Sequence, residues 1–329
     1  MDSSWNFILW CIICFFPVLI YFLCHRRPAN FPPGPPGWPL IGNMFDVGNM
    51  PHRNLAALKQ KYGPVVGLQF GAIQTMAILS AEVATEFFKN HDVNFAERTI
   101  LDTMKVHDFD KNSISLAPYG PCWRVLRRLC TVEMLMAKRI NESAPIRRRC
   151  VDQMLEWIEE EARKTRPVEV ARFTFLTSFN LLGNLMLSRD LLDPKSKEGL
   201  ELFELMAGVM GWSGHPNLSD IFPLLRRFDL QRLRQNMDRD LGQALRIASG
   251  FVKERVEERR KGVQTDRPKD FLDVLLEFEG DGKEELKKLS DHTINIFILE
   301  IFLAGSETTS STTEWILTEL LCNLEWMTK

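Results

Sequence analysis

The chain has 329 residues, a formal net charge of −2, 26% charged residues and 45% hydrophobic ones. This balance fits a globular protein and excludes a strongly basic nucleic-acid binder, and the length allows a large core in one domain or two. Seven cysteines give an odd count, which suits unpaired thiols in a reducing cytosol better than a disulfide framework.

Residues 5–24 form an apolar run whose only strongly polar member is Asn6, long enough to cross a hydrocarbon core. Its Leu, Ile, Val and Phe side chains together contribute at most about −5 kcal/mol of insertion free energy. Met1-Asp2-Ser3-Ser4 lacks the basic start of a cleavable signal, and Arg26 and Arg27 follow the run, which favours a cytosolic bulk. Residues 1–25 therefore read as a transmembrane signal anchor. Cys11 and Cys14 have the spacing of a redox or zinc pair, but within lipid they read most simply as two small apolar residues. Residues 26–43 are basic and proline-rich, a semi-rigid hinge or, alternatively, an adaptor ligand of the polyproline type. Residues 44–329 form the globular part.

Within it, 53–61 reads as a helix ended by Tyr62-Gly63-Pro64, and 65–70 with 74–79 as a β-hairpin about Gly71. Ser80 caps a helix to Asn90. Residues 99–121 lack periodicity and read as a long loop, where binding residues concentrate. Helical patterns follow over 123–136, 145–164, 173–188, 198–210, 230–261 and 271–278, then from Ser290 to the end, with a break at 211–216. The fold class is mainly α with a small β-sheet, α+β.

The last helix carries the strongest functional pattern. Its apolar stretch 294–303 is followed by Ala304-Gly305-Ser306-Glu307 and an unbroken run of hydroxyl residues from Thr308 to Thr313. Phe297, Ile301, Ala304, Gly305 and Thr308 share one stripe by helical spacing. Ala304 and Gly305 remove bulk where a flat ligand could lie. The Thr308 hydroxyl can bond back to the Ala304 carbonyl, loosening the helix into a widened turn with room for a water. Glu300, Glu307 and Glu314 recur on a neighbouring face. The plain alternative is a core helix whose small residues merely allow close packing. Trp123 and Arg127, four apart just after Pro121, offer an indole N–H and a guanidinium suited to a carboxylate. In isolation they read more simply as a solvated basic face with a Trp tucked against the core.

Anchor, proline-rich hinge, hairpin, Trp-x-x-x-Arg helix and Ala-Gly-x-Glu-Thr-Thr helix occur in this order over essentially the whole chain. Together they resemble the membrane-anchored microsomal cytochromes P-450, the haem-thiolate monooxygenases, of the plant type, and the last helix looks most like enzymes of specialised metabolism, including terpenoid hydroxylases. The resemblance implies a cytochrome P-450-like fold holding haem b. It also implies single-pass anchorage in the endoplasmic reticulum membrane, electrons from an NADPH–cytochrome reductase, O2 and a small lipophilic substrate. It implies that Trp123 and Arg127 bind a haem propionate, with Arg124 as helper, that Ala304 and Gly305 lie over the porphyrin face, and that Glu307 and Thr308 are the catalytic acid–alcohol pair delivering protons during oxygen activation. Substrate contacts are implied at 99–116, 206–212 and 297–304.

The sequence departs from the family's pattern severely, at two motifs. Its Phe-x-x-Gly-x-Arg-x-Cys loop, source of the axial iron ligand, does not occur, and Glu160-Glu161-Ala162-Arg163 and Glu257-Glu258-Arg259-Arg260 match its Glu-x-x-Arg pair by spacing only. The expectation is the N-terminal part of a monooxygenase, unable to hydroxylate as written. The alternative is a non-catalytic, membrane-anchored interaction or decoy protein whose Arg124, Arg127, Arg128 and Arg139 meet an acidic electron donor.

Overall fold

Strand β1 (Val65–Phe70) pairs antiparallel with β2 (Ile73–Ile78), from Val65↔Ile78 to Phe70↔Ile73. Gly71 turns the chain between them at φ +55°, a backbone region that costs glycine little. The computed structural model describes residues 30–164, 167–262, 267, 269–283 and 285–327, together with Phe15. The anchor read at 1–25 otherwise lies outside the described residues, among which no helix is long and apolar enough to cross a membrane. The described chain forms two units. One runs up to Glu97 and includes Asn217–Gln231; the other comprises Arg98–Pro216 and the chain from Arg232 onward.

In the first unit, helix α1 (Pro51–Tyr62) starts on a proline whose missing N–H is no loss there. Helix α2 (Ala81–Asn90) starts where Ser80 Oγ accepts the Val83 N–H at 3.2 Å. The described part of the expected hinge is built onto the hairpin. Gly67 N–H donates to the Pro33 carbonyl at 2.9 Å, and a Cβ on Gly34 would collide with the Gly67 carbonyl. Asn43 is fully buried, accepting the Gln69 N–H at 2.9 Å and donating to the Pro35 carbonyl at 3.2 Å. Prolines supply no donors, but their carbonyls remain, and here the sheet uses them. From residue 30 to 43 the segment is a docked strap, which corrects the spacer reading.

The second unit is helical: α3 (Pro121–Cys130), α4 (Ala144–Lys164), α5 (Val170–Leu187), α6 (Lys197–Gly214), α7 (Leu233–Arg260), α8 (Phe271–Glu277) and α9 (Asp291–Cys322). The helix expected over 123–136 is α-helical only to Cys130 and continues as a π turn, Thr131–Leu135. The expected long loop contains a 3-10 segment, Asp102–Asp108, and a helical turn, Phe109–Asn112. Val106 and Phe109 plug the core from it. Gly211 stays inside α6, which ends before Pro216. The core centres on α5 and α9, where Phe179 stacks on Phe302 at 4.2 Å and Phe271 meets Phe297 at 5.9 Å. Each such ring contributes about 1.5–3 kcal/mol by leaving water.

A buried ionic cluster closes the far side of this core. Arg255 of α7, 7% exposed, donates to both carboxylate oxygens of Asp270 at 2.9 Å, to Asp273 at 3.1 Å and to the Leu187 carbonyl at 3.1 Å. Arg259 and Arg267 join Asp273 at 2.8 and 2.7 Å. Asp270 and Asp273 also cap α8 reciprocally. Arg259 is thus tied into this cluster.

Candidate functional site

The long helix α9 begins at Ser290, whose Oγ accepts the Thr293 N–H at 3.1 Å, and runs unbroken through the hydroxyl-rich segment. Its threonines fit by bonding back. Thr308 Oγ1 donates to the Ala304 carbonyl at 2.6 Å, Thr312 to that of Thr308 at 2.7 Å, and Thr313 to that of Thr309 at 2.9 Å. The back-bond matches expectation. The widened turn does not occur, because each hydroxyl shares a carbonyl without displacing the helical bond. Ser306 and Ser310 are buried, Thr308, Thr309 and Thr312 are exposed, and Ser311 and Thr313 are half-buried.

Ala304 and Thr308 together open an exposed stripe of small side chains on α9. Gly305 does not belong to it. A Cβ on Gly305 would stand 2.8 Å from Leu182 Cδ1 on α5, so its missing side chain lets two helices approach instead of making room for a ligand. Gly305→Val is therefore expected to destabilise the unit by about 1–3 kcal/mol, with a smaller loss when Leu182→Ala is present. Chemical denaturation of the four variants checks this, and additivity of the two losses would refute it. Phe297 and Met206, expected near substrate, are core residues, each at most 1% exposed. Glu307 is half-buried beside Thr308.

Pro121 opens α3, which carries the second group of residues. Trp123 is half-buried and its Nε1–H donates to the Ile114 carbonyl at 2.9 Å. Arg127, one turn on, is exposed, and its side chain makes no hydrogen bond or ion pair among the described residues. Its neighbours are committed: Arg124 lies 5.9 Å over the Tyr119 ring, Arg128 holds Glu285 at 2.6 and 3.1 Å, and Arg139 holds Glu133 at 3.1 Å. Three of the four arginines offered for a docking face are thus used internally.

The structure joins these two places through a residue to which the sequence assigned no role. Glu300, four residues before Ala304 and 5% exposed, accepts the Ile114 N–H at 2.6 Å and the Ser115 N–H at 2.8 Å. The same stretch that binds Glu300 also binds Trp123. Glu300 was visible only as a member of a seven-residue recurrence, and its backbone partners lie far away in sequence.

Two groups of side chains have chemistry suited to a porphyrin, one for a carboxylate edge and one for a flat face. Arg127 is a free guanidinium for a carboxylate, Trp123 holds its donor on a neutral carbonyl that a carboxylate can outcompete, and Ala304 and Thr308 leave a flat approach. The axial ligand does not fit Cys122, Cys130 or Cys150. Burial pushes the thiols of Cys122, Cys130 and Cys150 up, whereas a metal-binding thiolate needs the opposite. Glu160, ion-paired with Lys164 and Lys195 and lowered to about 2 by their hydrogen bonds, belongs to a surface cluster, not to a Glu-x-x-Arg pair.

The family model for cytochrome P450 matches residues 32–329. The chain belongs to the cytochrome P450 family. It is 52% identical to cytochrome P450 76A2 of Solanum melongena over 336 aligned positions, covering 100% of this chain and 66% of that protein. It is 46% identical to the iridoid oxidase of Catharanthus roseus, over 94% of this chain and 61% of the relative. Against the geraniol 8-hydroxylase of Swertia mussotii it is 37% identical, over 92% and 60%. The chain thus spans 60–66% of the length of these cytochrome P450 relatives. Family membership gives the Ala304–Thr308 stripe and the Trp123–Arg127 pair their context: haem iron is the cofactor that this family implies.

Proposed function

We propose that this chain carries the propionate-binding and oxygen-activating part of a haem-dependent monooxygenase that hydroxylates a small lipophilic metabolite with O2 and electrons from an NADPH-dependent reductase. The observation that carries the reading is the Glu300 link, which ties the helix bearing Trp123 and Arg127 to the helix bearing Ala304, Glu307 and Thr308. Bound haem supplies the oxygen chemistry itself. The chain's residues do the rest. Arg127 and Trp123 hold a carboxylate at the group's edge, and Ala304 keeps the face clear. Thr308 Oγ1, its proton on the Ala304 carbonyl at 2.6 Å, presents its lone pairs outward. It passes a proton on when that bond opens, with Glu307 as neighbouring acid. The names of the iridoid and geraniol enzymes favour a terpenoid substrate. In the same reading, residues 1–25 anchor the protein in the endoplasmic reticulum membrane with its bulk in the cytosol.

Two measurements test this. Arg127→Ala is expected to weaken binding of protoporphyrin IX about tenfold and to leave binding of its dimethyl ester unchanged; equal effects on both would remove the carboxylate role. The carbon-monoxide difference spectrum of the reduced 329-residue chain is expected to lack the thiolate band. Joining the C-terminal third of cytochrome P450 76A2 is expected to restore it, and a joined chain that takes up no haem would sink the proposal.

A further inference from the structure

We propose that Glu300 is a positioning residue that sets the Trp123 indole for a ligand carboxylate by orienting a single peptide plane, an inference that rests on the reading above. The plane is the one between Ile114 and Ser115. Its N–H, that of Ser115, donates to Glu300 Oε1 at 2.8 Å, and its C=O, that of Ile114, accepts Trp123 Nε1–H at 2.9 Å. A trans peptide is rigid and planar, with these two groups pointing in opposite directions. Holding one end therefore aims the other. The second Glu300 oxygen takes the Ile114 N–H at 2.6 Å, which fixes the preceding plane as well.

A neutral side chain cannot reproduce this. An ionised carboxylate accepts from two backbone donors at once, and such charge-assisted bonds are roughly twice as strong as neutral ones. Of the three recurring glutamates, Glu314 is exposed and Glu307 half-buried; Glu300 is the buried one. A buried carboxylate is tolerated when hydrogen-bonded, and here both of its oxygens are. Two further links seat the same segment on α9. His292 Nε2 lies 2.9 Å from the His107 carbonyl, and Thr293 Oγ1 donates to Asn112 Oδ1 at 2.8 Å. The segment would stay on the helix without Glu300, so the glutamate's particular contribution is the orientation of the 114–115 peptide.

The test uses the full chain in detergent with isotope-labelled Ile, Ser and Trp. In Glu300→Gln the amides of Ile114 and Ser115 are expected to exchange about tenfold or more faster. The Trp123 indole N–H should shift and exchange faster with them, and α9 amides should stay within about twofold of wild type. An unchanged Trp123 indole beside deprotected amides would overturn the proposal and leave Glu300 a structural tie. If Glu300→Gln does not fold, Glu300→Asp, one methylene shorter with its charge kept, gives the same reading with partial protection. Protoporphyrin IX and its dimethyl ester form the second arm. Wild type is expected to prefer the free acid, and the preference should shrink in Glu300→Gln in step with Trp123→Phe. Failure of wild type to bind either porphyrin counts against the monooxygenase reading, while the exchange data still decide the role of Glu300.

Discussion

Arg255→Ala is expected to destabilise the helical unit by about 3–5 kcal/mol, the loss seen when one partner of a buried ion pair is removed. Arg255 is 7% exposed and neutralises two carboxylates that are themselves buried, Asp270 and Asp273. Without it those charges remain in the core and the Leu187 carbonyl loses a donor. Arg259, at Asp273, and Arg267, at both carboxylates, compensate only in part, because they approach from more exposed positions. The cluster also predicts acid sensitivity. Burial pushes the Asp273 carboxyl up, but hydrogen bonds from Arg267, Arg259 and the Asp270 N–H, together with the Arg255 charge, outweigh it and hold it far below the usual carboxylate range. A depressed folded-state value means that the stabilisation is present above the unfolded value of about 3.9 and is lost as pH falls towards the folded one. Urea titrations at neutral pH and at successively lower pH check both statements. A wild-type midpoint that holds steady below the unfolded carboxylate value, or an Arg255→Ala loss under about 1 kcal/mol, would mean that the cluster is screened by solvent.

What the sequence made legible was local. The Ser80 cap, the turn at Gly71 and the Thr308 back-bond each depend on residues within four positions of one another, so spacing alone finds them. Where a partner lies across the fold, spacing fails. A small residue on a helix can face a ligand or a neighbouring helix; Leu182 settles the matter for Gly305, and nothing near Gly305 in sequence announces it. The proline-rich strap fails for the complementary reason. Its donors are missing but its carbonyls are not, and Gly67, with no side chain to collide with Phe31 or Pro32, sits opposite to receive them. Residues 99–121 lacked periodicity because they contribute isolated plugs, Val106 and Phe109, between short helical turns. Glu300 is the costliest omission, since its partners are backbone N–H groups, which every sequence contains and no side-chain pattern marks.

Thr308→Val, in the chain joined to the C-terminal third of cytochrome P450 76A2, is expected to lower product formation by about 10²–10⁴-fold, the range for removing a positioned proton donor. Oxygen and NADPH consumption should continue. Valine keeps the shape and removes the hydroxyl, and Thr308 is exposed on α9, with its one intramolecular bond going to a carbonyl already serving the helix. The fold should therefore hardly register the change, within about 0.5 kcal/mol for an exposed substitution. Haem content should match that of the parent. Thr308→Ser, which restores the hydroxyl without the methyl group, should recover most of the product. That pattern separates proton delivery from packing, since a packing role would leave Thr308→Val close to the parent and impair Thr308→Ser instead. Glu307→Gln sharpens the distinction. If Glu307 and Thr308 act as one relay, the double variant should lose little more than either single one, because groups acting as a unit are not additive. Full additivity would make them two independent contacts, and the hydroxyl-rich turn of α9 would then be explained by helix packing alone.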